Sequence, residues 1–240
     1  MPPPPPLAAP HIPVGYFRRI GAVAKALVIL NLIAVAISLI VLVSQLSVAS
    51  AADDFLAGQL SSTDFADKIG PFLGLSVLGA GISIAIFVLQ CIWSFRMAKN
   101  LQLLGRVPQA WKPGWGIGVW FLGGCTLGIL PYLMHRELWQ GSDPTVPPGD
   151  PRWKQSPIGT VLHVWFATQI GAVVLGFIAG LGTANFGIGA NRGDTKIAET
   201  LRDKLPIVAA AGLFSAAVAL LMVAVVRQLS AVHMQATHEA

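Results

Sequence analysis

The residues that could do chemistry lie mostly in residues 93–139, a basic stretch rich in tryptophan that we call the central segment. Its candidates for acid–base work are His135 and Glu137, with Asp143 just beyond it. General acid–base catalysis needs such groups within hydrogen-bonding reach of one substrate, and nothing in this spacing holds the three together. No nucleophile accompanies them in the pattern of a catalytic triad. The sequence therefore predicts a protein that is not an enzyme.

The cysteines and histidines give no sign of a metal site. Cys91 and Cys125 lie in apolar segments without CxxC spacing, which predicts free thiols. His163 lies near the start of an apolar run, where a ring nitrogen can reach water, so an interfacial histidine is favoured over a proton relay. We expect no metal and no cofactor.

The composition is that of an integral membrane protein. Of the 240 residues, 54% are hydrophobic and 11% charged, with a mean hydropathy of +0.67. A soluble domain has about twice that share of charge. Crossing the bilayer takes about 20 mostly apolar residues. Four runs reach that length, and they are 20–48, 72–95, 158–183 and 206–226. We predict an all-α membrane protein whose main partner is the lipid bilayer.

The excess of positive charge fits a membrane surface better than a nucleic acid. The net charge is +5, and many of the basic residues flank the apolar runs. Basic residues beside membrane spans are typical of the cytoplasmic side, where anionic headgroups are the nearest partner. Arg18 and Arg19, before the first run, predict a cytoplasmic amino terminus in the cell membrane. We expect no nucleic-acid partner.

Three regions are predicted along the chain. Residues 1–15 read as a disordered proline-rich tail without the basic start of a signal peptide, so the first apolar run reads as a retained anchor. Residues 16–230 form the helical membrane domain, and residues 231–240 are a short tail without a clear signal.

Polar loops are predicted at 49–70 and 184–205, which gives two helix hairpins of similar plan. The loops end alike, with Asp-Lys-Ile-Gly-Pro before the second run and Asp-Lys-Leu-Pro before the fourth. Each proline, Pro71 and Pro206, is expected at a helix start. An internal repeat would explain the match, and so would capping chemistry alone, because an acid and a proline suit any helix start.

The number of membrane crossings depends on the apolar part of the central segment, from Trp115 to Met134. If it does not cross, the chain has four transmembrane helices as two hairpins joined by a Trp/Gly-rich re-entrant or interfacial segment. If 114–134 does cross, there are five, and the Lys and Arg counts on the two sides do not decide between these layouts. The many glycines, with Pro131 near the end, weaken a continuous helix, so we favour four crossings.

Several side chains of the central segment should share a surface. Trp93, Arg96 and Asn100 have helical spacing and lie on one face of the helix leaving the membrane, and Gly105 is a plausible stop for that helix. A short amphipathic helix should follow around residues 135–139 and lie in the interface plane. We predict an ion pair between Arg96 and Glu137 that fixes the segment against the hairpins.

The spacing of these residues resembles the bacterial membrane family called domain of unknown function 4328. The resemblance covers roughly residues 20–230. The chain departs from the family pattern at residues 122–130, which read LGGCTLGIL. The specific positions are, in order, Trp93, Arg96, Asn100, Gly105, Pro113, Gly114, Trp115, Trp120, Phe121, Pro131, Tyr132, Glu137, Leu138 and Trp139.

That resemblance implies a class of protein and no activity. From the residues we expect a non-enzymatic scaffold or regulator of a membrane complex, with a membrane protein as partner. The alternative is a small transporter or channel built on the broken central segment, as in transporters with discontinuous helices. The near absence of ionisable residues in the spans argues against transport of charged solutes. A lipid-directed enzyme at the interface is a third and weaker hypothesis.

Overall fold

A computed structural model describes residues 17–183 and 193–239, and in these ranges the protein has helices and no strands. The predicted disordered tail 1–15 lies outside them. The six α-helices are α1 (Gly21–Leu56), α2 (Ser62–Leu103), α3 (Trp115–Leu122), α4 (Ile129–Gly141), α5 (Thr160–Thr183) and α6 (Asp194–Thr237). A short 3₁₀ helix at Pro151–Gln155 precedes α5.

Four of these helices, α1, α2, α5 and α6, are long and apolar enough to cross a membrane. The prediction of an all-helical protein with four such helices is confirmed. At 1.5 Å per residue, the 36 residues of α1 measure roughly 54 Å, well beyond the ~30 Å hydrocarbon core. The last eight residues of α1, 49–56, lie beyond the predicted run 20–48.

The predicted polar loop 49–70 is wrong. The helix α1 runs on to Leu56, and α2 begins at Ser62 after a turn of five residues. Apolar residues at helical spacing explain the difference, because Val48, Ala52 and Phe65 are buried in one cluster. The rings of Phe55 and Phe65 stack within it, with centroids 4.7 Å apart. The polar average composition of residues 49–70 therefore hid a stripe of apolar residues along one face of the helices.

The helix starts assigned to Pro71 and Pro206 are also wrong. Both prolines lie inside long helices, Pro71 in α2 and Pro206 in α6. The start of α2 is capped instead by Ser61, whose hydroxyl oxygen accepts from the Asp64 N–H at 3.2 Å and whose hydroxyl donates to the Asp64 carboxylate at 2.7 Å. The predicted tail 231–240 differs as well, since α6 continues to Thr237.

The chain folds into two compact units. Unit 1 comprises Met1–Ala26, Leu89–Leu162 and Val225–Ala240, and unit 2 comprises Leu27–Val88 and His163–Ala224. Unit 1 carries eleven Lys and Arg against four Asp and Glu, whereas unit 2 carries five against seven. All the polar residues singled out in the central segment belong to unit 1.

The central segment contains a sharp break. The helix α3 has eight residues, and a run of turns at 123–128 separates it from α4. Leu127 and Gly128 both have left-handed backbone, with φ of 51° and 79°, which ends any continuous helix. Gly116 lets α3 approach α2 closely, because a Cβ there would lie 2.7 Å from the Phe95 nitrogen. Residues 115–134 are therefore not one straight helix.

Candidate functional site

The end of α2 positions the first part of the site. Gly105 has a φ of 67°, and the N–H groups of Gly105 and Arg106 donate to the carbonyls of Gln102 and Leu101, each at 3.0 Å. This is the Schellman arrangement that ends a helix at a left-handed residue, so the predicted stop at Gly105 is confirmed. A Cβ at Gly105 would also lie 3.0 Å from the Gly149 nitrogen. Both the left-handed backbone and this close approach therefore favour glycine at the position.

Asn100 is the centre of a buried hydrogen-bond chain. Its Oδ1 accepts from the Arg18 N–H at 2.8 Å, and its Nδ2 donates to the Arg18 carbonyl at 2.9 Å and to His233 Nε2 at 3.0 Å. His233 Nδ1 lies 2.7 Å from Ser142 Oγ, whose own proton goes to the Leu138 carbonyl. This chain joins the start of α1 to α2, α4 and α6.

The partners of His233 fix its tautomer. Since Ser142 Oγ donates to Leu138, it accepts from Nδ1, which therefore carries the proton. Nε2 then accepts from the Asn100 amide. With the imidazole neutral, each donor in this hydrogen-bond chain faces an acceptor, as a structural network requires.

His135 repeats this arrangement on α4. Its Nδ1 donates to the Pro131 carbonyl at 2.7 Å, and its Nε2 lies 3.2 Å from the Gln90 amide nitrogen, which donates to it. The ring is fully buried between the rings of Trp93 and Trp120, with centroids 5.7 and 5.4 Å away. Burial lowers the pKa of His135 to about 4, against the opposing effect of the Pro131 hydrogen bond.

We expect acid to destabilise unit 1 through His135. Its pKa is lowered from 6.5, so the unfolded chain binds a proton that the folded protein excludes, and stability falls as the pH drops from 6.5 towards 4. At pH 5 the loss is about 2 kcal/mol. Unfolding in mild detergent at pH 7.5 and pH 5 should show a larger loss for the wild type than for His135→Gln, by about 2 kcal/mol, because the buried His233 opposes protonation equally in both proteins. Equal pH dependence in both proteins would contradict it.

Arg106 holds the loop that follows α4. Arg106 is 1% exposed, and its guanidinium donates to the carbonyls of Gly141, Asp143, Val146 and Pro147 at 2.7–3.1 Å. The sequence analysis missed this residue. A signal was present, because residues 143–151 contain four prolines, and a segment poor in N–H groups leaves carbonyls that need outside donors.

The predicted ion pair between Arg96 and Glu137 is wrong. Arg96 Nη1 donates to the Arg19 carbonyl at 2.8 Å. The Glu137 carboxylate accepts from the N–H groups of Ala110 and Trp111 at 3.1 and 3.2 Å, and burial raises its pKa. In the described ranges the ion pairs are Arg152–Asp150 and Arg202–Asp203. The side chains of Arg96 and Glu137 therefore bind backbone groups and not each other.

The tryptophans of the central segment divide into two groups. Trp93 and Trp139 are buried, and Trp93 Nε1 donates to Ser230 Oγ at 3.0 Å. Trp120 Nε1 donates to Ser94 Oγ at 3.3 Å. Trp115 is 44% exposed and meets Trp111 edge to face. Trp93, Trp120 and Trp139 therefore pack inside unit 1, whereas Trp115 is partly exposed on its surface.

The remaining predicted positions have plainer surroundings. Pro131 and Leu138 are buried on α4, whereas Phe121 on α3 is exposed. Pro113 and Gly114 lie in the turn that leads into α3, where the Pro113 carbonyl accepts from Gly116 at 2.9 Å. Tyr132 lies in the first turn of α4.

The three acid–base candidates have separate partners. His135 binds Gln90 and Pro131, and Glu137 binds backbone N–H groups, as described above. Asp143 Oδ1 accepts from the hydroxyl and the N–H of Thr145 at 2.7 and 2.9 Å. Cys91 is buried and Cys125 exposed, and no group of three metal-binding side chains occurs within the ranges that the structure describes.

Glu239 is a further structural residue that the sequence did not reveal. Its carboxylate accepts from the N–H groups of Ile20 and Gly21 at 2.9–3.0 Å. A carboxylate at a helix N-terminus satisfies donors that have no partner within the helix and interacts favourably with the helix dipole. The start of α1 is thus closed by a residue that follows α6.

Comparison with known proteins identifies one family. The family model described as "Domain of unknown function (DUF4328)" matches residues 56–231, which is well over half of the chain and includes the whole central segment. The predicted resemblance is confirmed. No curated protein and no solved structure gives a match.

Proposed function

We propose that this chain, which belongs to the DUF4328 family, is a non-enzymatic scaffold or regulator of a membrane complex. One observation carries the proposal: the polar side chains of the central segment are engaged in building unit 1. Asn100, Arg106 and Glu137 all bind backbone groups, and Trp93 binds Ser230. Such groups hold a surface in a fixed shape, which is what a docking platform for another protein needs.

Within this proposal, the helices cross the cell membrane as two hairpins, α1–α2 and α5–α6. Unit 1 lies on the cytoplasmic side together with the amino terminus. The support is its excess of Lys and Arg, which is typical of cytoplasmic segments beside membrane helices.

The segment from α3 to the start of α4 is interfacial or re-entrant in the same proposal. At 1.5 Å per residue, the eight residues of α3 reach roughly 12 Å and cannot cross the bilayer alone. Ile117, Phe121 and Leu122 are exposed on α3, and Phe121 is 68% exposed. These side chains, with Trp115, suit the boundary between headgroups and hydrocarbon.

Reporter fusions test this layout. A reporter that works only in the cytoplasm should be active when fused after Ala240. A reporter that works only outside the cell should be active when inserted within 184–205. An outer location for the Ala240 reporter would contradict four crossings and the cytoplasmic placement of unit 1.

The scaffold role is tested by purification of the full chain in mild detergent with identification of co-purifying proteins. Arg136 is exposed on α4 and offers a matched pair of variants. We expect a membrane protein at a defined ratio to the wild type, retained by Arg136→Lys and reduced by Arg136→Glu. If no protein co-purified with the wild type at a defined ratio, the proposal would be wrong.

A second candidate is a small transporter or channel. The observation in its favour is the break at Leu127 and Gly128, because interrupted helices line many transport sites. Purified protein in liposomes would show solute flux under this alternative, and Gly124→Trp beside the break would block it. Flux without any co-purifying protein would favour this candidate over the scaffold.

A further inference from the structure

A cavity of about 350 Å³ lies within unit 2, among α1, α2 and α6. That volume falls in the ~300–1,000 Å³ range of small-molecule sites. None of its lining side chains is ionisable, and most are small or apolar. The polar side chains that line it are Ser38, Gln45, Ser76, Ser83 and Ser215.

Gln45 points to a ligand. Its side chain is 5% exposed, and its Oε1 is buried without a hydrogen-bond partner in the described part of the chain. A buried amide oxygen without a donor is unfavourable in any protein interior, and more so in hydrocarbon, where water is scarce. Gln45 is one of the residues that line the cavity, which is large enough to admit a molecule that carries a donor.

Its place along α1 puts the cavity at membrane depth. Gln45 lies about 12 Å along the helix axis from Asp53 and about 30 Å from Lys25, the charged residues on either side of it in α1. The site therefore belongs to the apolar stretch, nearer the acidic end. A molecule that reaches the site from the bilayer must be uncharged and mostly apolar.

The serines reinforce this chemistry. Ser76 and Ser83 donate their hydroxyl protons to the carbonyls of Phe72 and Gly79, at 2.8 and 2.9 Å, so their oxygens keep lone pairs for the cavity. Gln45, Ser76 and Ser83 are thus three residues around an uncharged space whose side chains can accept a hydrogen bond. Such a lining complements a hydroxyl or amide donor and disfavours an anion.

We propose that this cavity binds a neutral lipid with a free hydroxyl group, whose O–H donates to Gln45 Oε1 while its chains lie against the apolar lining. The site is separate from the scaffold surface of unit 1, and the inference stands whether or not unit 1 binds a protein. A diacylglycerol is the simplest bilayer molecule with this chemistry.

Photolabelling of the full chain in nanodiscs tests the site. The probe is a diacylglycerol with a photoactivatable acyl chain, and its control is the same lipid with the hydroxyl acetylated. We expect the diacylglycerol to label peptides from 34–45, 75–83 and 208–215, and the acetylated lipid to label them about tenfold less, as for the loss of one buried hydrogen bond.

Two variants separate binding from folding. Gln45→Leu should lower labelling by the diacylglycerol to the level of the acetylated lipid, whereas Ser47→Ala, at an exposed serine two residues away, should label as the wild type does. A Cβ at Gly212 meets no atom within 4 Å, so a side chain there has room to enter the cavity. Gly212→Leu should therefore occupy the cavity and abolish labelling, with elution and melting unchanged.

Three outcomes would overturn the proposal. They are equal labelling by the acetylated lipid, undiminished labelling of Gln45→Leu, and absence of labelling from these three helices in the folded wild type. The last is the result expected if water alone fills the cavity.

Discussion

Replacing Arg106 with methionine should lower the free energy of unfolding of unit 1 by about 3–5 kcal/mol, because four carbonyls lose their donor at once. Burial lowers the pKa of the guanidinium, with Asp143 and Asp150 acting in the opposite direction, so the charge is held at some cost and its hydrogen bonds must offset that cost. Denaturant titration in mild detergent measures the loss directly. Limited proteolysis should cut the Arg106→Met protein first between residues 142 and 150.

Two further variants interpret the result. Arg106→Lys should recover only part of the stability, since an ammonium group cannot reach four carbonyls in the fixed geometry of a guanidinium. Arg152→Met is the matched control, because the Arg152 side chain is 75% exposed and water screens its ion pair with Asp150. If Arg106→Met were no less stable than Arg152→Met, the structural role assigned to Arg106 would be wrong.

Asn100→Leu should destabilise unit 1 by about 2–4 kcal/mol. The substitution keeps the branched heavy-atom skeleton of the side chain but leaves the Arg18 N–H and carbonyl and His233 Nε2 without partners. The same unfolding titration measures the effect. Gln102→Leu, on the exposed side of the same helix, should change stability little.

A double-mutant cycle adds a sharper criterion. Asn100→Leu and His233→Leu break the same contact, so the double variant should lose less stability than the sum of the two single losses, by at least about 0.5 kcal/mol. Additive losses would show that Asn100 and His233 act independently, contrary to the hydrogen-bond chain.

The existence of the long helices could be predicted from the sequence, and most of their ends could not. Apolar runs mark only the part of a helix that lipid surrounds. Beyond it the apolar residues narrow to a stripe, as at Val48, Ala52 and Phe65, and the average polarity resembles that of a loop. The stop at Gly105 was predictable because helix endings depend on local chemistry.

The candidate site was predictable only in its residue types. Trp93, Arg96, Asn100 and Glu137 all make specific contacts, but their partners lie on other elements of the fold. The predicted ion pair failed because backbone groups compete with opposite charges as partners. Arg19 supplies a carbonyl to Arg96, and the turn before α3 supplies two N–H groups to Glu137. Helical spacing carries no information about such partners.

The contact of Glu239 with Ile20 and Gly21 also bears on how the protein is made. The two parts of this contact are 219 positions apart, so the first helix leaves the ribosome long before its capping carboxylate exists. During translation, the amide groups at its start must be hydrated or bound by lipid headgroups. Ribosomes halted before codon 239 would therefore carry an α1 with a frayed beginning, and that end could become ordered only after Glu239 has been made and has left the ribosome.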